Sequence, residues 1–198
     1  MNPKLKAVLT VLAVVLCVWL FLMFGYIPYS WLNLPKGFYT ISLFIALSII
    51  SFLFYKALKI KTSFNIKDTE PKYWLWSLLL VVLFIAGDVI IGDPRPIKVN
   101  SISVILFFPL FVAFYEEMIN RVILLKTLGN AFGFKAALIA QAVIFTVLHQ
   151  DYRLSAMLYY FLLGGIGMGL LMNPKKGHFF YPLAVHYIAE VVMLAMRM

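Results

Sequence analysis

Seven long apolar stretches follow one another along this chain, and they constrain its fold more than any other feature. They cover residues 7–26, 38–58, 73–91, 102–127, 133–150, 154–172 and 179–197. Crossing a bilayer takes about 20 predominantly apolar residues, a length that each stretch reaches or approaches. Because lipid offers no hydrogen bonds, the backbone of each stretch must bond internally as a helix. The sequence therefore predicts an all-α, polytopic transmembrane helical bundle of about seven spans.

Composition argues against a soluble domain and against a nucleic-acid partner. Hydrophobic residues make up 64% of the 198 positions and charged residues 13%, against about 45–50% and about 25% in soluble domains. The net charge is +9, but the basic residues stand singly or in pairs between apolar runs, where they set membrane orientation. We therefore expect a multi-pass protein of the cell membrane, with lipid around it and no nucleic acid bound.

The distribution of basic residues predicts which end of each helix faces the cytoplasm. If the N-terminus lies inside, the inner segments hold Lys4, Lys6, Lys56, Lys59, Lys61, Lys67, Lys72, Lys126, Lys135, Lys175 and Lys176, and the outer segments hold Lys36, Arg95, Lys98, Arg153 and Arg197. Cytoplasmic segments carry the excess of Lys and Arg. This pattern predicts a cytoplasmic N-terminus and, with seven spans, an external C-terminus.

Turn-forming residues are predicted to separate the helices. They lie at Pro28, Pro35-Lys36-Gly37, the polar segment 59–72, Asp93-Pro94-Arg95-Pro96, Gly129-Asn130 and Asn173-Pro174. No internal repeat is visible, so we expect a single transmembrane domain over residues 1–198. In the sixth stretch, the glycines from Gly164 to Gly169 include a Gly-x-x-x-Gly spacing, which favours close helix packing over a ligand site.

Ionisable residues inside the apolar stretches are the candidate functional groups. Of eight acidic residues, the four inside proposed spans are Asp88, Glu116, Glu117 and Glu190, and two of the three histidines, His149 and His186, join them. An ionisable group in the membrane is costly unless it is paired or faces a wet cavity, so it indicates function by default. Asp88 lies close to the end of the third stretch, and we interpret it as structural, either in a buried polar network or as an end residue near the headgroups.

Helical geometry sorts these residues. Glu117 and Arg121 are four residues apart, so they share a helix face and are predicted to form an ion pair. Glu116 points about 100° away from Glu117 and is left without that cation. Two further pairs, Phe145 with His149 and His186 with Glu190, also lie one turn apart.

The predicted depths of these groups agree. At a rise of about 1.5 Å per residue, Glu116 lies roughly 17 Å from the inner end of its span and His149 roughly 20–24 Å from the inner end of its own. His186 and Glu190 lie roughly 10 and 16 Å above the start of the last span. Three helices therefore place carboxylates and imidazoles near the middle of the membrane.

Three motifs on these helices resemble those of a known family. Glu116-Glu117-Met118-Ile119-Asn120-Arg121 is similar to the Glu-Glu-x-x-x-Arg motif of the CPBP family of intramembrane proteases (Abi, CAAX protease and bacteriocin-processing). Phe145-Thr146-Val147-Leu148-His149 is similar to its Phe-x-x-x-His motif, and His186-Tyr187-Ile188-Ala189-Glu190 stands where the family has His-x-x-x-Asn or Asp. The resemblance covers residues 101–197, the last four spans, and leaves 1–100 as N-terminal spans.

The resemblance implies a glutamate-dependent, metal-independent endopeptidase without a cofactor, acting on a peptide or protein substrate at the membrane. It implies that Glu116 and His149 activate water, that Glu117 and Arg121 support them, and that His186 with the residue at position 190 stabilises the oxyanion. Such roles are chemically reasonable, since a carboxylate in an apolar cavity is a suitable proton acceptor near neutral pH.

Two positions depart from the family pattern. Glu190 stands where the family has Asn or Asp, and an ionised glutamate would repel an oxyanion, whereas a protonated one would donate to it. Asn120 stands where the family often has an aromatic residue.

Other functions stay open at the level of sequence. A non-catalytic membrane partner, such as a bacteriocin-immunity or regulatory protein on the same scaffold, is favoured by Glu190. A zinc enzyme could use two His and two Glu as ligands, although the chain has no His-Glu-x-x-His helix. A proton or ion transporter could use the same buried groups, but no inverted repeat supports it.

Overall fold

A computed structural model of the chain describes residues 2–25, 36–62, 64–91, 102–149, 151–173 and 177–196. Regular structure in those ranges is entirely helical, as predicted, and forms seven helices. The unbroken ones are α1 (Pro3–Gly25), α2 (Lys36–Ala57), α3 (Pro71–Ile91), α5 (Phe134–Leu148) and α7 (Phe180–Ala195). A short 3₁₀ turn, Ile66–Asp68, precedes α3.

The remaining two helices, α4 and α6, each contain a π-helical segment. The three parts of α4 are Ile102–Glu117, the π segment Met118–Leu125 and Lys126–Phe132. The parts of α6 are Leu154–Tyr159, the π segment Tyr160–Gly167 and Met168–Leu170. π-Helical turns occur frequently at functional sites, and the one in α4 begins directly after Glu117.

One predicted boundary is wrong. The pair Gly129-Asn130 does not end a helix, because α4 continues to Phe132 and the chain turns at Gly133, where φ is +83°. Glycine adopts that backbone conformation without a steric penalty. Gly129 inside the helix costs only about 1 kcal/mol relative to alanine, which helix packing outweighs.

Three further predicted breaks lie partly or wholly outside the described residues. Lys36 and Gly37 begin α2 rather than preceding it. The predicted breaks at Pro28, at Pro35 and at residues 93–96 lie outside the described residues.

Contacts between helix ends agree with helices that alternate in direction. At one end, Lys6 Nζ donates to the carbonyl of Leu58 at 3.0 Å, and Lys126 Nζ donates to that of Lys61 at 3.1 Å. At the opposite end, Arg153 Nη1 donates to the carbonyl of Ile91 at 3.3 Å. The segments predicted to share a side of the membrane are therefore the ones in contact.

The outer surface is apolar, as a lipid-facing surface is. In the described part of the chain, one helix, Pro71–Ile91, is by itself long and apolar enough to cross a membrane. Its outward residues are strongly exposed, with Ile90 at 82% and Leu75 at 70%. The number of spans beyond this helix stays a prediction.

The core surrounds the π segment of α4. Met118, Val122, Ile123 and Leu124 are fully buried there. The helices packed around them contribute Ala7 and Val14 from α1, Leu47 and Tyr55 from α2, and Ala137 and Leu138 from α5. This central position of α4 places the Glu116-Glu117 pair inside the bundle.

Close packing of α5 against α6 depends on glycines, which confirms the predicted role of the Gly-x-x-x-Gly segment. A Cβ on Gly165 would lie 2.6 Å from Cα of Ala142, and one on Gly164 would lie 3.1 Å from Cδ1 of Phe145. Because these glycines have no side chain, α6 can approach α5 closely near the end that precedes His149.

Candidate active site

Glu117 and Arg121 form the buried ion pair that the sequence predicts. Both side chains are fully buried, and Arg121 Nε lies 3.1 Å from Glu117 Oε2. The guanidinium also donates from Nη2 to the carbonyl of Gly164 and lies over the ring of Phe145, with Cζ 4.9 Å from the ring centroid. Arg121 therefore connects α4 to both α5 and α6.

Glu117 has a second partner that the sequence did not indicate. His186 Nδ1 lies 3.0 Å from Glu117 Oε1, across from α7. Because Glu117 is paired with Arg121 it is ionised and can only accept, so the hydrogen on Nδ1 is the one donated. This contact turns Nε2 of His186 away from Glu117.

His149 is held by a carbonyl and by two aromatic rings. Its Nδ1 lies 2.8 Å from the carbonyl oxygen of Phe145, and a carbonyl only accepts, so Nδ1 carries a proton. The rings of Phe145 and Tyr160 both have centroids 4.2 Å from the imidazole centroid. Nε2 of His149 is left to face the interior of the site.

Both Nε2 atoms approach the same oxygen of Glu116. The distance from Glu116 Oε2 is 3.8 Å to His149 Nε2 and 3.9 Å to His186 Nε2. That oxygen is buried and has no hydrogen-bond partner among the described residues. The three groups that the sequence predicted at one depth thus surround a common point.

A cavity of about 470 Å³ contains this point. Its polar lining comes from Asp88, Glu116, Glu117, Asn120, Arg121, His149, His186 and Glu190. Much of the remaining wall is apolar and aromatic, including Phe44, Leu47, Phe84, Phe108, Val112, Leu148 and Met168. A mostly apolar cleft with a few convergent polar groups is the usual form of a ligand or substrate site.

The two departures from the family pattern both line this cavity. Glu190 is half-buried one turn after His186 and lines the same cavity. Asn120 is buried, and its Nδ2 donates to the carbonyl of Glu116 at 2.8 Å. Neither residue therefore points away from the site.

Residues 98–192 match the family model described as Type II CAAX prenyl endopeptidase Rce1-like. This segment belongs to the CPBP family. No curated protein and no solved structure matches the chain. The matched range nearly coincides with the range 101–197 over which the motifs resemble CPBP proteases. CPBP proteins of this type are membrane-embedded proteases, so the family supports peptide hydrolysis at a membrane.

All three CPBP motifs fall inside the matched range, and the structure brings them together. Glu116 and Glu117 come from α4, His149 from α5 and His186 from α7. Glu190, also from α7, lines the same cavity. The division of the chain into N-terminal spans and a core stays a prediction.

Helix α3 lies outside the CPBP match but contributes to the cavity. Asp88, interpreted from the sequence as a structural residue in a polar network or near the headgroups, lines the cavity together with Phe84. The signal in the sequence was weak, because the third stretch carries no motif and Asp88 stands out only as an acidic residue within an apolar run.

The described residues do not offer a set of ligands for the zinc enzyme considered from the sequence. No group of three or more His, Cys, Asp or Glu side chains there has an arrangement that could hold a metal ion.

Proposed function

We propose that this protein is a multi-pass intramembrane endopeptidase of the cell membrane, in which Glu116 and His149 activate water. The observation that carries this proposal is the approach of two imidazole Nε2 atoms to Glu116 Oε2, at 3.8 and 3.9 Å. These separations exceed a direct hydrogen bond. A water molecule between the three groups would bond to each, and a buried water needs two to four such partners.

The protonation states inferred from the contacts suit water activation. With Nδ1 of His149 donating to Phe145, its Nε2 is an acceptor in the neutral ring. One hydrogen of the water would then be donated to Glu116 and the other to His149, which directs a lone pair of the oxygen toward a peptide carbonyl.

Hydrolysis follows in two steps. The water oxygen forms a bond to the carbonyl carbon while Glu116 takes a proton, giving a tetrahedral oxyanion. The carbon–nitrogen bond then breaks, and Glu116 returns the proton to the departing nitrogen. The products are a new carboxyl group and a new amine, so atoms and charges balance.

His186 is suited to stabilise the oxyanion. Glu117 accepts the hydrogen on Nδ1, and an imidazole that also carries a proton on Nε2 would donate it toward the developing charge. Donors held in place before the reaction account for a large share of catalysis in acyl transfer. A protonated Glu190 would add a second donor, whereas an ionised Glu190 would oppose the oxyanion.

The substrate class we propose is a peptide with apolar residues that enters the cavity from the membrane. The name of the matched family includes prenyl endopeptidase, so a peptide ending in a prenylated cysteine motif is one substrate to test. Unmodified apolar peptides of the same length are the other.

The test is hydrolysis of these peptides by the purified protein in detergent, carried out in heavy-oxygen water. Incorporation of the heavy oxygen into the new carboxyl group distinguishes hydrolysis from transfer. We expect Glu116→Gln and His149→Ala to reduce the rate by at least about 100-fold. Glu70→Gln is the matched control, because Glu70 lies in the loop before α3 and pairs with Lys72 at 3.6 Å.

If Glu116→Gln and His149→Ala both keep the full rate, the proposed mechanism is wrong. If the folded protein cleaves neither class of peptide, the result would favour a non-catalytic membrane partner over a peptidase. Activity that a strong chelator abolishes and zinc restores would favour the metal enzyme.

A further inference from the structure

Tyr160 contacts His149 from a different helix. His149 directly follows Leu148, the last residue of α5, so it sits where the regular helix ends. The Nδ1 hydrogen bond and the contact with the ring of Phe145 come from its own last turn. The ring of Tyr160 comes from α6, and its plane lies at 31° to the imidazole.

The geometry of these contacts gives Tyr160 a separate task. A hydrogen bond at Nδ1 fixes one atom of the imidazole but leaves the ring able to rotate about that atom. A second ring, which contacts the imidazole from another helix with its plane tilted by 31°, restrains that rotation. The direction of Nε2, 3.8 Å from Glu116 Oε2, depends on the plane of the imidazole.

The residue before Tyr160 is itself anchored on α3. The ring of Tyr159 fills the space beside Gly87, where an added Cβ would lie 2.6 Å from Cδ2 of the tyrosine. Its hydroxyl donates to the carbonyl of Phe84 at 3.2 Å. The rings of Tyr159 and Tyr160 are in edge contact, with centroids 5.2 Å apart.

We propose that Tyr160 is a positioning residue for His149, and that Tyr159, seated beside Gly87, holds Tyr160 in register. The proposal rests on the catalytic role proposed above for His149. It also connects α3, which lies outside the family match, to a group that touches the reacting water.

The first test is the NMR spectrum of the protein labelled at histidine. The three histidines give three imidazoles, and the loss of one set of signals in His149→Gln assigns His149. We expect an Nδ1-protonated His149 with strong ring-current shifts, retained in Tyr160→Phe and averaged toward a free imidazole in Tyr160→Leu. Unchanged His149 signals in Tyr160→Leu would overturn the proposal.

This measurement needs no cleavage, so it separates the present inference from the proposed function. If no peptide is cleaved but Tyr160→Leu releases the His149 ring, the positioning role stands and the peptidase proposal fails.

Kinetics supply the second test. We expect Tyr160→Leu to lower kcat by about 10-fold with little change in KM, since a small misplacement of a reacting group costs rate rather than binding. Tyr160→Phe keeps the ring and should stay within about twofold of wild type. Equal losses in the two variants would show that the hydroxyl, not the ring, matters, and would overturn the proposal.

A pair of glycine variants tests the link through Tyr159 without touching either tyrosine. Gly87→Ala would displace the Tyr159 ring, whereas Gly129→Ala would meet only Cβ of Ala137, at 3.9 Å. We expect the His149 signals to move in Gly87→Ala and to stay in place in Gly129→Ala. If Gly87→Ala leaves them in place, the link is wrong, and this result decides it even if Tyr160→Leu does not fold.

Discussion

Glu117 accepts a hydrogen bond from Nδ1 of His186 at 3.0 Å, across the contact between α4 and α7. The same carboxylate lies 3.1 Å from Nε of Arg121. One fully buried carboxylate therefore connects a cation on its own helix with an imidazole on another. This shared position explains why the two adjacent glutamates have different surroundings: Glu117 is committed to structure, and Glu116 is left to face the cavity.

Glu117→Gln should destabilise the protein far more than Glu116→Gln. The substitution leaves the buried guanidinium of Arg121 without its counter-charge, and breaking a buried pair in this way costs about 3–5 kcal/mol. Among the described residues, no Arg or Lys side chain forms such a pair with Glu116. The free energy of unfolding in detergent, measured by denaturant titration, checks this prediction. Equal stabilities of the two variants would contradict it.

The Glu117–Arg121 pair was predictable from sequence, and the Glu117–His186 contact was not. Spacing of four residues places two side chains on one helix face, whatever the rest of the fold. Periodicity does not say which helix packs against that face. The contact between α4 and α7 depends on the packing of the whole bundle around the π segment of α4.

The difference between local spacing and packing between helices also explains which other predictions agreed with the structure. Helix positions followed from the length of the apolar runs, and the common depth of Glu116, His149 and His186 followed from the helical rise. The contribution of Asp88 to the cavity depends on how α3 packs, which no local pattern records. The turn at Gly133 rather than Gly129 depends on a backbone angle, and both glycines are equally plausible breaks in the sequence.

Glu190→Asn should raise kcat. Glu190 lines the cavity one turn after His186, and an ionised carboxylate there would oppose the oxyanion that we propose His186 stabilises. An amide removes the charge and adds a donor, and one oxyanion donor is worth up to about 100- to 1000-fold in other enzymes, so we expect a gain of about 10-fold.

The control for this prediction is Glu190→Asp, which keeps the charge and should show no gain. A loss of activity in Glu190→Asn would contradict the prediction and would give Glu190 a role of its own, such as a protonated donor.

Gly165→Ala should destabilise the protein and lower activity, because its Cβ would overlap the backbone of Ala142. Relief of that overlap requires α5 and α6 to separate, and overpacking of this kind costs about 1–3 kcal/mol. Gly129→Ala has ordinary contacts only and should be neutral or stabilising by up to about 1 kcal/mol. The difference between the two free energies of unfolding is the measurement. Similar free energies of unfolding for the two variants would contradict the prediction, because they would mean that α5 and α6 can separate at little cost.

His178 should make stability dependent on pH from outside the proposed spans. The side chain is buried at the start of α7, with Nδ1 accepting from the amide of Phe180 at 3.3 Å. Burial lowers the pKa of His178 below its ordinary 6.5, Lys126 lowers it further, and Asp68 opposes the shift. The unfolded chain therefore binds this proton at a higher pH than the folded one, and stability is lost as the pH falls through about 6.5.

His178→Gln removes the titrating group and should flatten that loss. Unfolding free energies compared between about pH 8 and about pH 5 for the two proteins test the expectation. The variant should be closer to wild type at the lower pH than at the higher one, because only the wild type is penalised by protonation. A constant difference across the range would mean that other groups carry the pH dependence.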